Sequence, residues 1–491
     1  PVREGGHGLK QWGESIGYSK VEYDDFSGFD EGMLERCTGD VILNKKVYYE
    51  LRKEAAGFSK QSIDIENTVA SILKEQEDHG FLLDQKAGTI LLAELQEEMD
   101  KVTSEVKKRF KPKVEKIEIF RRRTKTGAIS RMGETLEGKG VRLTGDDFQE
   151  LKKKGSIIRE KRIEFNLGSR KQVGEYLQEF GWKPKKFTPT GQPMVDEKIL
   201  SNVKNIPEAS LIAKYLMLQK RIAQVNAWFK ELGEDGRVHG FVNHNGTVTG
   251  RMTHRNPNMA QVPNCSAPYG KECRACWVVP PNYKLVGIDA SGLELRMLAH
   301  YMNDEGFIDE ILNGDIHTAN QRLAGLESRN QAKTFIYALI YGAGDEKIGT
   351  VVGGNKQDGK RLRESFLNNL PSFRTLIYKV SRAATKGFLK GLDGRKIKVR
   401  SQHSALNALL QGGGAIVMKK ALMIFHEEIQ QYGAVVVANI HDEWQVEVPW
   451  QHADEVGKAG VRAIIQAGKD LELKCPLDGE YKIGANWSET H

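Results

Sequence analysis

The sequence predicts an α+β protein, and three observations carry that expectation. Apolar residues recur at helical spacing through long stretches of the first half. LVGIDASGLELRMLAHYM, residues 285 to 302, reads as a short strand, a tight turn and a helix. GAVVVANIHDEWQVEV, residues 433 to 448, reads as two apolar strands joined by a charged bend. At 491 residues the chain is too long for one ordinary core, so about three domains or lobes are expected.

In chain order, residues 1 to 60 are glycine-rich at first and then helical from Val41 to Lys53, like the tail of a domain. A long helix is expected from Asp64, with Asp64 as its cap, Glu66 in its first turn and Val69, Ile72 and Leu73 on one face. Gln85 to Phe110, Ser169 to Phe180 and Glu208 to Leu232 read as further helices. Between them, residues 111 to 162 hold 16 Lys or Arg against 8 Asp or Glu, so this window alone carries +8, as much as the whole chain. It is read either as a solvated, partly mobile insertion or as a surface for a polyanion or acidic partner. No apolar run of membrane-crossing length stands out, so no membrane partner is expected. The five scattered cysteines form no disulfide pattern and point to a reducing compartment; Cys273 and Cys276, a lone CxxC, are read as packed thiols.

The chemistry lies after residue 235. Asp289 ends one strand and Asp442 occupies the bend between two others, so two carboxylates can face one cleft. Such a pair suits either acid–base work or a hard divalent cation. A third segment decides: in RNQAKTFIYALIYGAG, residues 329 to 344, Arg329, Lys333, Tyr337 and Tyr341 recur every four residues along one helix face. Two cations followed by two rings suit a triphosphate and a stacked base.

DASGLELR, RNQAKTFIYALIYGAG and His441-Asp442-Glu443 together resemble the three signature motifs of family A (Pol I-like) DNA polymerases. TGRMTH, NGDIHT, GDEKIG, GLDGRK and ALNALLQGGGA are most similar to the replicative enzymes of short-tailed bacteriophages. The resemblance implies a right-hand fold: an exonuclease remnant over 1–60, a thumb over 61–235 carrying the insertion 111–162, a palm over 236–300 and 400–491, and fingers over 301–399. It implies that Asp289, Asp442 and the backbone carbonyl of Ala290 hold two Mg²⁺ ions about 4 Å apart. His317, Arg329 and Lys333 would bind the triphosphate, Lys333 also protonating the leaving group, while Tyr337 and Tyr341 flank the new pair. Glu294 against Tyr341 would exclude a ribose 2′-hydroxyl, which favours dNTPs and argues against RNA synthesis, the alternative enzyme. Arg251, Asn407 and Gln411 would read the minor groove of the primer–template and His441 the primer end, with Glu443 supporting from behind.

The implied partners are primer–template DNA, dNTPs and, at the insertion, a thioredoxin-like processivity factor or DNA itself, in the cytoplasm of a bacterial host. Proofreading is not expected, because Asp40 is the only early acidic candidate and Arg36 stands where the family has Tyr. A silent DNA-binding relative would have lost a metal aspartate or Lys333, and none is lost.

Overall fold

The computed structural model describes residues 8–491. It divides into two compact units, Thr89–Asn226 and a larger one made from the residues on either side.

The larger unit is organised by a four-stranded antiparallel sheet in the order Val435–Ile440, Glu443–Pro449, Tyr283–Ala290, Gly479–Gly484. The two central strands are covered on both faces, as the full burial of successive residues Leu285 and Val286 on one and Trp444 and Gln445 on the other shows. Helices Ala405–Ile429 and Ala453–Asp470 pack against this layer, and Phe425 stacks on Trp444 with centroids 5.0 Å apart. The first of these is long and apolar enough to cross a membrane, contrary to the sequence expectation, but its apolar residues are buried in the core. Its three successive glycines serve close packing. A Cβ on Gly412 would come within 2.6 Å of Ile397, and one on Gly413 within 3.0 Å of Met297.

Two early elements depart from expectation. The helix over the first segment runs Glu31–Ala55, capped by Asp30 rather than starting near Val41. The next runs Lys60–His79 and is capped by Ser59, whose hydroxyl accepts from the Ser62 amide. Asp64 is therefore not a cap: it lies one turn inside and pairs with Lys60 at 2.5 Å. The serine takes the cap because its extended backbone and short hydroxyl reach the free amides of the first turn.

In the smaller unit, the basic window forms a folded module. Strands Lys113–Phe120, Met132–Thr135, Gly140–Arg142 and Ser156–Ile163 form a sheet in the order third, second, first, fourth, backed by helix Gly145–Lys154. Ile119, Leu151 and Ile157 make its small core. Several of its cations are neutralised locally, among them Lys139 by Glu137 and Lys154 by Glu150, both at 2.8 Å.

Candidate active site

Antiparallel pairing brings the two aspartates together. Ile440 pairs with Glu443, so His441 and Asp442 are a two-residue hairpin loop, and Asp289 lies opposite Glu443 on the neighbouring strand. The Ala290 amide donates to the Asp442 carbonyl at 3.1 Å, which ties the end of one strand to the bend of the next. His441 adopts φ 57°, a left-handed conformation that a non-glycine residue takes at some cost and that aims Asp442 inward.

Burial, reinforced by the Asp442 and Glu443 charges, pushes the Asp289 carboxyl up to about 7. Burial raises Asp442 as well. Two half-buried carboxylates that disfavour each other's charge form a donor set that a divalent cation satisfies. No group of three His, Cys, Asp or Glu side chains converges as a metal cage among the described residues, so substrate oxygens and water must complete any coordination shell. Glu443 is engaged elsewhere: it accepts from Trp487 Nε1 at 2.7 Å and Gln445 Nε2 at 2.6 Å and pairs with His491 at 2.8 Å.

The facing helix is Arg329–Ile340, which opens with a Ser328/Gln331 capping box. It buries Ala332, Phe335, Ile336 and Leu339, which leaves Arg329, Lys333 and Tyr337 on the open side. Tyr341 is the residue that caps the helix end rather than part of the last turn, and its ring stacks on Tyr337 at 6.4 Å. Burial and then the charges of Glu294 and Asp442 raise the Tyr337 hydroxyl, so this residue lies within electrostatic reach of both carboxylates. His317 lies 6.3 Å from Tyr337 between ring centroids, and its Nδ1 is buried without a partner. Burial lowers its pKa, with help from the Arg329 and Lys333 charges. Arg329 forms a two-pronged pair with Asp315, at 2.6 and 3.2 Å, so an incoming anion must share or displace that carboxylate. Lys333 makes no ion pair among the described residues.

Glu294 is the hub of the opposite wall. Its carboxylate accepts from the Tyr341 hydroxyl at 2.6 and 2.7 Å and from Arg251 at 3.0 Å. Arg251, Asn407 and Gln411 line one cleft together with Thr249, Lys398 and Arg400. The Asn407 Oδ1 is buried there without a partner. Arg251, His441 and Asp442 also share a smaller pocket with Lys419.

The chain matches the profile of DNA polymerase family A over residues 141–489. It belongs to that family. The polymerase is 35% identical to the DNA-directed DNA polymerase of Enterobacteria phage T3, with 100% of this chain and 83% of the relative aligned. The figures are the same for the enzyme of Escherichia phage T7. DNA polymerase I of Pseudomonas aeruginosa is 28% identical over 67% of this chain and 39% of its own length. Among solved structures, the POL domain of Pol1 from M. smegmatis, in complex with DNA primer-template and dNTP, superposes with a TM-score of 0.76 at 18% identity, covering 99% of this chain and 79% of that one. The expected right-hand polymerase fold is thereby borne out.

Sequence reasoning missed a buried ionic cluster behind the Arg251 loop. Glu66, expected only as a first-turn charge, accepts from Lys419 at 2.6 Å, pairs with His244 at 2.5 Å and bonds Arg395. Arg395 is also held by Asp393 at 2.6 Å. A Cβ on Gly250 would lie 3.4 Å from Arg395 and 3.9 Å from Lys419, so the cluster braces the backbone next to Arg251. These partners come from segments hundreds of residues apart, which is why no local signal announces them. Although burial alone would raise the Glu66 carboxyl, His244, Lys419 and Arg395 bring it down to about 2. Glu66→Ala is expected to cost about 3 kcal/mol at pH 7, since it strands buried cations. A carboxyl lowered by folding contributes its stability above the unfolded value. The deficit in urea titrations should therefore shrink as pH falls from about 4.5 towards 2.

Among the described early residues, Asp40 pairs with Lys20 at 3.0 Å and Arg36 at 3.8 Å. Cys273 and Cys276 are buried, and burial pushes the Cys276 thiol up to about 12, as expected of a packed thiol.

Proposed function

We propose that this polymerase copies a template by adding dNTPs to a primer 3′ end through metal-assisted phosphoryl transfer at Asp289 and Asp442. The observation that carries the reading is the half-buried pair Asp289 and Asp442 at adjoining strand ends, with Tyr337, on the same helix side as Arg329 and Lys333, within electrostatic reach of Asp442. The names of the phage relatives and of the solved neighbour support it, and we read the work as replication inside a bacterial host, in its cytoplasm. When bound, two Mg²⁺ ions would supply Lewis acidity at the primer hydroxyl and charge neutralisation at the leaving phosphates.

The chain's own residues do the rest. Asp289 and Asp442, with the Ala290 carbonyl, would hold the cations. Arg329, Lys333 and His317 place positive charge and donors along the triphosphate, and Lys333, free of a carboxylate partner, is positioned to give a proton to the leaving group. Tyr337 and Tyr341 offer stacked faces to the new base pair. Arg251, Asn407 and Gln411 line the cleft where base edges of the primer–template pass. His441 stands beside Asp442 at the primer end. We assign 236–300 and 400–491 to the palm, 301–399 to the fingers, 61–235 to the thumb and 1–60 to an exonuclease remnant.

The test is extension of a primed template with each dNTP and each rNTP in the presence of Mg²⁺. Template-directed dNTP addition is the expected result; its absence would overturn the assignment. The folded module over 111–162 is proposed to hold either a thioredoxin-like processivity factor or the DNA directly. Its removal should shorten the product made in one binding event several-fold. A loss seen only with host extract identifies a protein factor, and a loss seen without extract identifies DNA contact.

A further inference from the structure

The cleft that holds Arg251, Asn407 and Gln411 has three walls, and each comes from a different segment of the chain. One is the loop between strands Phe241–Asn243 and Thr253–Arg255, which contributes Thr247, Thr249 and Arg251. The second is helix Ala405–Ile429, which contributes Asn407 and Gln411. The third is hairpin Phe388–Lys390/Lys396–Lys398, which contributes Lys398.

Behind the cleft, all three walls return to one carboxylate. His244, the first residue of the loop, faces Glu66 Oε2 at 2.5 Å. Lys419, about two turns past Gln411 on the helix, gives its ammonium to Glu66 Oε1 at 2.6 Å. Arg395, which closes the hairpin turn, donates to the same oxygen. Glu66 itself stands on a fourth element, helix Lys60–His79. Inside the loop, the Gly250 amide donates to the Thr247 carbonyl at 3.0 Å and the Thr247 hydroxyl to the Arg251 carbonyl at 3.2 Å. Those bonds fix the shape of the loop without tying it to another element. A carboxylate has two oxygens with about four acceptor sites, so it can serve three donors from three segments at once; a neutral amide, with one oxygen, cannot.

We propose that Glu66 is a positioning residue of this cleft: by holding loop, helix and hairpin at one spacing, it aligns Arg251 with Asn407 and Gln411 on the minor-groove acceptors of the primer-terminal pair. The inference rests on the proposed reading of the cleft as the seat of the primer–template. Glu66 acts through these residues rather than on the DNA.

The test replaces the primer-terminal guanine with 3-deazaguanine, which lacks the minor-groove N3 acceptor. Single-turnover extension is compared for the unmodified chain, Arg251→Ala, Glu66→Gln and His244→Ala. The unmodified chain should extend the analogue at least about tenfold more slowly than guanine, the scale of a lost charge-assisted hydrogen bond. Arg251→Ala should show no such penalty. Glu66→Gln and His244→Ala both keep Arg251, yet should reduce the penalty to less than about threefold, a non-additivity that marks residues acting as one unit. His244→Ala frees the loop alone and leaves Glu66 with Lys419 and Arg395, so it carries the test if Glu66→Gln melts below the assay temperature. A purely structural glutamate would slow guanine and analogue primers alike, so a full penalty in either folded variant would overturn the proposal. A penalty that survives Arg251→Ala, or none in the unmodified chain, would overturn it too. If the unmodified chain extends no primer at all, the polymerase reading falls and this inference with it. If it extends primers and the variants keep the full penalty, only this inference falls.

Discussion

Asp442→Asn is expected to lower dNTP incorporation by about 10³-fold or more, on the scale of losing a principal electrostatic stabiliser of the transition state. Asp289→Asn should do the same. The paired observation is a gain in stability without metal. The Asp289 carboxyl is raised by folding to about 7, from burial first and Asp442 next. A carboxyl raised by folding favours the native state while it holds its proton. Stability is therefore lost as pH rises through the window from the unfolded value near 4 up to about 7. Asparagine at 289 removes that loss, so the variant should be more stable than the unmodified chain at pH 8 without metal, by about 1–3 kcal/mol. Mg²⁺ should raise the melting temperature of the unmodified chain more at pH 8 than at pH 5.5, and should do little for either variant. An inactive variant with unchanged stability and an unchanged response to Mg²⁺ would place Asp289 or Asp442 outside the metal site.

Glu294→Ala is expected to raise the use of rNTPs relative to dNTPs by about 10²-fold, near 2.7 kcal/mol of discrimination. The carboxylate is pinned between the Tyr341 hydroxyl and Arg251, so it fills its place on the cleft wall and cannot swing aside without breaking both contacts. Truncation opens that space and frees the tyrosine ring. Glu294→Gln keeps the bulk while removing the charge, so it should retain most of the sugar selection and lose mainly the grip on Arg251. Steady-state kcat/KM for matched dNTP and rNTP pairs measures both. If glutamine and alanine relax selection equally, charge rather than bulk sets it.

Much of this site was legible in the sequence because its residues sit in local patterns. An apolar strand ending in Asp289, a helix face spaced by four and a hairpin bend at Asp442 each announce themselves within about twenty residues. The cap at Ser59 rather than Asp64 went unread because two acceptors competed over a few residues and backbone geometry chose between them.

The sequence by itself determined the chemistry: which carboxylates, cations and rings exist, and that each stands on a strand end or one helix face. Tertiary structure alone decided what each of them touches. Cross-strand register set Asp289 opposite Glu443, committed Glu443 to Trp487 and His491, and left Asp442 open. Folding likewise joined Glu66 to Lys419 and Arg395 behind the Arg251 loop. These pairings span from 44 residues, between Glu443 and Trp487, to 353, between Glu66 and Lys419, and a buried charge is stable only where such partners meet it, so no local periodicity could have announced them.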